Sequence, residues 1–126
     1  MAKLLPDARM DAMLNNEIRS KITRVTVCST QPTTYTEAIT TYKLAVKTGV
    51  TSTYFTLGDG DTSGRKIAMA AINSVTVDSS GTAQHIAWVS STGSLLLFVT
   101  TCTSQALTAG NTVNIPTHDF EIRDLA

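Results

Sequence analysis

Short apolar segments alternate with turn residues along most of the chain, at intervals of about ten residues. The clearest section is 72–101, in which three segments rich in Val, Ile, Leu, Thr, Phe and Trp are separated by Asp78-Ser-Ser-Gly81 and Ser90-Ser-Thr-Gly93. Asp or Ser at the first position of a turn and Gly at the last are the residues that tight turns favour. The section therefore predicts an antiparallel meander of three strands joined by two turns.

The last two of these strands are apolar on both faces. The predicted faces are Ile86 and Trp88 against Ala83, Ala87 and Val89 in the middle strand, and Leu95, Leu97 and Val99 against Leu96 and Phe98 in the last. An antiparallel strand with one wet face alternates between apolar and polar side chains. We therefore expect a second sheet on one face and the N-terminal helix, a long loop or another subunit on the other.

An amphipathic helix is predicted over residues 7–19, before the first strand. Pro6 and Asp7 make a favourable entry, because Asp can cap a first turn. The apolar residues follow helical spacing and form one stripe: Met10, Met13, Leu14 and Ile18. A helix of about three turns is marginal in isolation, so we expect it to dock on the sheet of its own domain or on a partner.

The remaining pattern predicts a mainly β fold. Strands are expected at 23–28, 42–47, 53–57, 65–71, 112–115 and 119–123. The segment 35–41 is ambiguous and is compatible with a helical turn started by Thr34 or Thr36. About eight short strands and one helix predict an antiparallel β-sandwich or jelly roll with one short N-terminal α-helix, with a small closed barrel as the alternative. Residues 1–126 fit one domain, with 1–20 as helix and arm and 21–126 as the sandwich.

The composition favours β structure and association with other proteins. Thr, which suits half-exposed strands, occurs 22 times. The formal net charge is zero and Lys and Arg are scattered, so no basic stripe is available to neutralise phosphates and we expect no direct nucleic-acid contact. Zero net charge gives little protection against association. The longest apolar run, Leu95–Val99, is far too short to cross a membrane. The first residues lack the apolar core of a signal peptide, so we expect no membrane contact and folding in a cytoplasm.

Cys and His are too few and too scattered to indicate a metal or catalytic site. Cys28 and Cys102 form no Cys-x-x-Cys pair, and their spacing to His85 and His118 matches no zinc pattern. We expect two partly buried thiols on strands, which could pair if the strands are neighbours, and histidines that are hydrogen-bonded within the sheet. Hydrolase, nucleotide-binding and metalloprotease motifs do not occur in the sequence. The sequence therefore predicts no enzyme and no cofactor.

The loop 58–64 resembles half of a calcium-binding loop. Asp59, Asp61, Ser63 and Gly64 occupy its first, third, fifth and sixth positions, but the twelfth, which needs a bidentate acid, is Ala70. We expect a Gly-rich turn that leads into the next strand, with a weak cation site as the alternative.

Several segments together resemble a family of small tailed-bacteriophage virion proteins, usually encoded near the major capsid protein. The matching segments are Leu4–Leu14, Val27–Ser29, Gln31–Ala38, Gly58–Lys66, Gly81–Val89 and Gly110–Ile115. The resemblance implies a head-associated structural protein of the cement or decoration type, and it brings no catalytic residues with it.

The function expected from this resemblance is a capsid cement protein on the virion head, assembled in the cytoplasm of the bacterial host. Its expected partners are the major capsid protein and its own copies, as a dimer or trimer. The expected contact residues are the helix stripe Met10, Met13, Leu14 and Ile18 and the terminal residues Phe120, Ile122 and Leu125. The alternatives are a tail or connector protein and a glycan- or receptor-binding module. The last needs exposed aromatic rings, whereas we expect Trp88 in the core.

Overall fold

The apolar segments form strands that are arranged in three antiparallel sheets. The structure, a computed structural model, describes residues 6–60 and 64–122. Its strands are β1 (Arg24–Cys28), β2 (Lys43–Lys47), β3 (Phe55–Asp59), β4 (Arg65–Met69), β5 (Ile72–Thr76), β6 (Gly81–Ser90), β7 (Leu95–Leu107), β8 (Thr112–Ile115) and β9 (His118–Ile122). The strand orders are β2-β1-β6-β7, β3-β4-β9 and β5-β8. The prediction of a mainly β, antiparallel fold is confirmed.

The main core lies between the four-stranded sheet and the two smaller sheets. Trp88 of β6 is at its centre, fully buried, with Nε1 directed at Met69 Sδ of β4 at 3.2 Å. Buried residues of the other strands surround it, among them Val25, Val27, Ile67, Ile72, Val113 and Ile115. This layering is that of a sandwich. Within the described residues the sheets have four, three and two strands, which differs from the two four-stranded sheets of a jelly roll.

The predicted meander is correct for β6 and β7 but wrong for β5. β6 and β7 pair as an antiparallel hairpin, whereas β5 pairs with β8 in a different layer. The backbone N–H groups of Asp78 and Ser79 donate to the carbonyl of Leu44 at 2.7 and 3.1 Å. These bonds hold the segment that follows β5 against β2. This segment therefore carries the chain from one layer to the other. Asp, Ser and Gly favour both a hairpin turn and a connection that crosses between layers. The sequence therefore did not distinguish these two kinds of connection.

Irregular pairing along β7 changes which side chains face the core. Opposed residues on antiparallel strands point to the same face. Leu96 lies opposite Val89 and Phe98 opposite Trp88, so Leu97 is an extra, bulged residue. Leu97 and Phe98 therefore both contact the main core, whereas Leu96 and Val99 contact a second cluster on the other face. The predicted alternation through Leu95–Val99 is wrong because it assumed an unbroken strand.

A longer irregularity follows at Cys102–Ser104. Ala83 lies opposite Gln105, but His85 lies opposite Thr101, so three residues of β7 oppose the single Gln84 of β6. Ala83 consequently packs in the main core, whereas Ala87 packs on the other face. The prediction that these two alanines share a face is therefore wrong for the same reason.

The second face of the large sheet is covered by the segment between β1 and β2. Ala38, Tyr35, Ile39 and Tyr42 of this segment pack against Cys28, Ala87 and Val89. It contains a short π-helix, Glu37–Thr41, named here the cover helix. Thr34 Oγ1 accepts a 3.1 Å bond from the backbone N–H of Glu37, as an N-terminal cap does. The expected cover on both faces is confirmed, and on this face it is a loop segment with the helical turn that Thr34 predicted.

The N-terminal helix covers the chain's own sheet. Helix α1 (Asp7–Met13) begins after Pro6 and continues as a π-helix, Leu14–Arg19, which confirms the predicted range. Met10 and Leu14 are completely buried, and Ile18 packs against the main core. Asp11 is held by Arg65 of β4, with Nε and Oδ1 2.7 Å apart. Within the described residues, no helix has both the length and the apolar character needed to cross a membrane.

Candidate interaction surface

One long stretch of the chain, about a third of its length, carries no charged side chain. No Asp, Glu, Lys or Arg occurs anywhere in residues 79–117, which include β6, β7 and β8. Many side chains of this stretch are exposed nonetheless, including those of Thr82, Gln84, Leu95 and the run 103–106. Protein surfaces normally intersperse both charge signs, whereas charged residues are depleted at the centres of protein interfaces. The neutral stretch is therefore the candidate interaction surface.

The edge strand β7 runs along this surface. It has 13 residues, and no strand of the described chain pairs with its outer side. Proteins usually protect a sheet edge with charges, proline, bulges or short length. The opposite edge, β2, follows this rule: it has five residues, of which Lys43 and Lys47 are charged. Because β7 has only its bulges as protection, it is the edge at which another strand can add.

The start of β7 presents apolar side chains to solvent. Leu95 is 42% exposed, and Leu96 and Leu97 are half-buried. The turn before them contains Gly93 and Ser94 at φ 80° and 54°, left-handed values that glycine adopts freely and serine rarely. This turn places the leucines at the tip of the hairpin, where the described chain does not cover them fully.

The other end of β7 borders a cavity of about 300 Å³ between the large sheet and the β5–β8 sheet. Its walls are mainly apolar and its remaining lining is uncharged: Val27, Ala71, Asn73, Ala83, Ile86, Cys102, Thr103, Gln105, Val113, Asn114, Ile115 and Pro116. This volume is at the lower end of the range for ligand pockets. The cavity is large enough for an apolar side chain or a small ligand.

Bulges form two opposite walls of the cavity. One is the irregular part of β7 at Cys102–Ser104, and the other is in β5, where Asn73 and Ser74 together oppose Asn114. Ser74 has φ 59°, and its N–H donates to Asn114 Oδ1 at 2.9 Å, which replaces a missing ladder bond. Bulges are enriched beside functional sites because they redirect side chains and interrupt pairing. Here both irregular segments contribute to the cavity lining, with Asn73 from β5 and Cys102 and Thr103 from β7.

The predicted contact residues divide between core and surface. Met10 and Leu14 are fully buried within this chain, so their prediction as contacts is corrected: a side chain with no exposed surface cannot meet a partner. Met13 is 40% exposed and remains a candidate. Phe120 packs on Phe98 with ring centroids 4.7 Å apart.

Two further predicted contacts lie at the end of the chain. Ile122 is described only as a backbone partner of Arg65, and Leu125 lies outside the described residues. The edge of β7 and the cavity were not predicted. The signal that could have found them is the absence of charge from 79–117.

The two thiols are free and belong to opposite faces of the large sheet. Cys28 is fully buried and directs its Sγ at the carbonyl of Ala38, 3.6 Å away. Cys102 packs against the main core, and β6 lies between the two strands. Burial raises the pKa of both thiols, most strongly through loss of hydration. A raised pKa reduces the thiolate fraction and hence the reactivity.

Both histidines lie against other residues of the fold. His85 lies opposite Cys28 on the covered face, and its Nδ1 is buried without a hydrogen-bond partner in the described chain. His118 Nδ1 lies 2.8 Å from the carbonyl oxygen of Pro116, and its ring stands edge-on to Trp88 at 5.3 Å. No group of three or more His, Cys, Asp or Glu side chains suited to a metal ion occurs in the described part of the chain.

The half-calcium loop is a hairpin connection between β3 and β4. Asp59 lies directly opposite Arg65, and its Oδ1 is 2.5 Å from Arg65 Nη1. This carboxylate is therefore engaged by a guanidinium group. Asp61 and Ser63, the other side chains of the proposed cation site, lie outside the described residues.

Comparison with known proteins gives no match at a significant level, whether with family models, with curated proteins or with solved structures.

Proposed function

We propose that this chain is a cement, or decoration, protein of a tailed-bacteriophage capsid. It binds the outer face of the assembled head and bridges major capsid subunits. Two independent arguments support the proposal: the resemblance of several sequence segments to small phage virion proteins, and the uncharged surface along β7. The second argument carries more weight, because an exposed surface without charges loses little hydration free energy when another protein covers it.

The scaffold suits a protein that acts by binding. The main core fixes β6 and β7 through the stack of Trp88 on Phe98, and the cover helix packs on the second face. The edge and cavity are therefore presented by a rigid support and need little ordering on binding, which lowers the entropic cost of association. A module that binds only the assembled lattice stabilises it by mass action.

The exposed part of helix α1 supplies a second candidate contact with the lattice. Met13 projects from a helix whose neighbouring side chains Met10 and Leu14 are anchored in the core. An exposed methionine on a fixed helix is a small apolar contact that adapts to its partner. A contact through Met13 and another through the neutral surface would together let one molecule bridge two capsid subunits.

The burial of Trp88 argues against the glycan-binding alternative. Trp88 is completely buried, with its ring stacked at 4.3 Å on Phe98, so it offers no platform for a sugar. A tail or connector role involves the same kind of neutral contact surface, and it differs from the cement role in the location of the protein within the virion.

The test compares heads assembled without this protein before and after the purified chain is added back. DNA release on heating is followed with a nucleic-acid dye. We expect the release temperature to rise with added protein and then to saturate, as binding to the assembled state requires. Equal heat resistance with and without saturating protein would contradict the cement function.

A pair of helix variants makes the test specific. Met13→Glu places a carboxylate at the proposed lattice contact, and Ala8→Glu places one at another exposed position of α1. We expect Met13→Glu to need at least about tenfold more protein for half-saturation, a loss of about 1.4 kcal/mol in binding. Ala8→Glu should behave as the unmodified chain.

A further inference from the structure

We propose that two copies of this chain pair through the outer edges of their β7 strands, antiparallel, about a two-fold axis beside Thr100. The two copies then form one continuous sheet across the dimer. The inference rests on the geometry of β7 and concerns the isolated protein in solution; within the proposed cement function, the paired β7 edges would be closed to the capsid, and the lattice contacts would fall to Met13 and to the rest of the exposed residues in 79–117.

The main chain of β7 supplies the first argument. Its inner side pairs with β6, and its outer side has no strand partner within the described residues. The stretch Phe98–Thr101 pairs regularly with β6 and lies between the bulge at Leu97 and the irregular segment Cys102–Ser104. Bulges twist an edge away from further pairing. They therefore confine strand-to-strand hydrogen bonds to this central stretch, which fixes the position of the axis.

The two ends of β7 supply the second argument, because they are complementary. The exposed leucines are at the start of the strand, and the apolar cavity lies beside Cys102, Thr103 and Gln105 near its end. With the axis beside Thr100, the numbers of opposed residues sum to 200, so Leu95 of one copy lies opposite Gln105 of the second. The leucine tip of each copy thus reaches the cavity end of the other. A two-fold interface requires such reciprocity: the leucine tip of one copy contacts the cavity of the other, and the same contact is repeated with the two copies exchanged.

The faces of the strand agree with this arrangement. Leu95 lies opposite Ser90, two residues from Trp88, so Leu95 points to the main-core side of the sheet. The cavity lies on that same side, between the layers. A two-fold axis perpendicular to the sheet keeps equivalent faces together. Leu95 of one copy and the cavity of the other are therefore on the same side of the joined sheet.

The absence of charge favours a second copy as the occupant. Groups near a two-fold axis meet their own kind, so any charged residue at the centre of β7 would face a like charge, which is destabilising. β7 contains no charged residue, and the whole chain has zero net charge. An unrelated strand would cover the edge but would leave the leucine tip and the cavity without their partners.

The first test measures mass in solution by light scattering across the micromolar range. We expect twice 13.4 kDa. Thr101→Lys places two ammonium groups close together, one on each side of the axis, and should reduce the mass to that of one chain. Thr56→Lys, at an exposed position of β3 in another sheet, adds the same charge away from β7 and should leave the dimer intact. A monomeric or trimeric unmodified chain, or a Thr101→Lys dimer, would overturn the proposal.

The second test reports the register directly. A residue beside a two-fold axis lies within disulfide distance of its own copy, since opposed strand residues have Cα atoms about 5 Å apart. We expect Thr100→Cys, made together with Cys102→Ser, to form a covalent dimer on mild oxidation. Thr56→Cys in the same background should remain monomeric on a denaturing gel. A dimer that Thr100→Cys does not cross-link would show that another surface joins the copies.

Discussion

Trp88 stacks on Phe98 with ring centroids 4.3 Å apart and planes inclined by 10°, and this pair fixes the edge strand β7 to the core. The two residues lie directly opposite each other on β6 and β7. Phe98 also contacts Phe120 of β9, so the three rings link the four-stranded sheet to the second layer. The position of the interaction surface therefore depends on an aromatic contact in the core.

Phe98→Ala should destabilise the protein by about 3 kcal/mol, since truncation of a core Phe commonly costs 3–5 kcal/mol and Phe98 is only partly buried. Urea unfolding followed by Trp88 fluorescence measures this change. Leu95→Ala, which shortens an exposed side chain of the same strand, should change the free energy of unfolding by less than about 1 kcal/mol. Equal costs for the two variants would show that the ring stack does not anchor β7.

The contact between Arg65 and Asp11 should hold helix α1 on β4. Arg65 also binds Asp59, but the Asp59 side chain is 86% exposed and that of Asp11 28%. Exposed ion pairs contribute little because water screens them. Asp11→Asn should therefore lower the melting temperature and speed amide exchange in residues 8–13 more than Asp59→Asn does. Identical effects of the two variants would indicate that the pair with Asp11 contributes nothing specific.

The cover helix should loosen in acid. Bonds from the backbone N–H and then the hydroxyl of Thr33 lower the pKa of Glu37 below its ordinary value. A carboxyl with a lowered pKa in the folded state contributes stability above its unfolded pKa. That contribution is lost as pH falls from about 4.3 through the folded value, because the unfolded chain then binds the proton more tightly.

The acid effect is measured as the amide-exchange protection of residues 34–42, which is the exchange rate compared with the intrinsic rate at each pH over this range. Glu37→Gln should remove the pH dependence, since its amide does not titrate. Thr33→Val, which keeps the backbone bond and removes the hydroxyl, should retain part of it. An unchanged pH dependence in Glu37→Gln would assign the effect to another group.

The two thiols should differ in reactivity. Cys102 borders the cavity and is half-buried, whereas Cys28 is completely buried. A thiol reagent should therefore modify one cysteine per native chain faster than the other, and the rate should rise with pH because the thiolate is the reacting form. Burial raises the pKa of the Cys102 thiol, so this rise should continue beyond the ordinary pKa of a thiol. Cys102→Ser should abolish the fast reaction. Thr101→Glu, which also places like charges beside the axis but does not promote the thiolate, should accelerate it if a second copy covers the cavity mouth. An equal or lower rate would indicate an open cavity in the unmodified protein.

Local patterns predicted local structure well. The helical spacing of the apolar residues predicted the helix at 7–19, although its N-cap is Pro6 and no side chain caps it. The turn residues predicted the β6–β7 hairpin, and Trp88 was expected in the core, where it is found. These features depend on neighbouring residues, whose preferences the sequence displays directly.

Pairing between distant segments could not be predicted in the same way. β5 pairs with β8 because the segment after Val77 is hydrogen-bonded to Leu44 of β2 and leads the chain into the other layer. The bulge at Leu97 can be recognised only when β7 is aligned with Val89 and Trp88 of β6. The cavity depends on both irregularities, so it too was missed. The neutral edge was present in the sequence as an uncharged stretch, but its meaning depends on β7 lying at the edge of the sheet.

Electron microscopy of the virion, with density for this chain identified by difference from particles that lack it, tests the cement proposal most directly. The expected result is density on the outer face of the head at regular lattice positions, each in contact with more than one major capsid subunit. Density in the tail or connector alone, or complete heads with no difference density, would contradict the proposal.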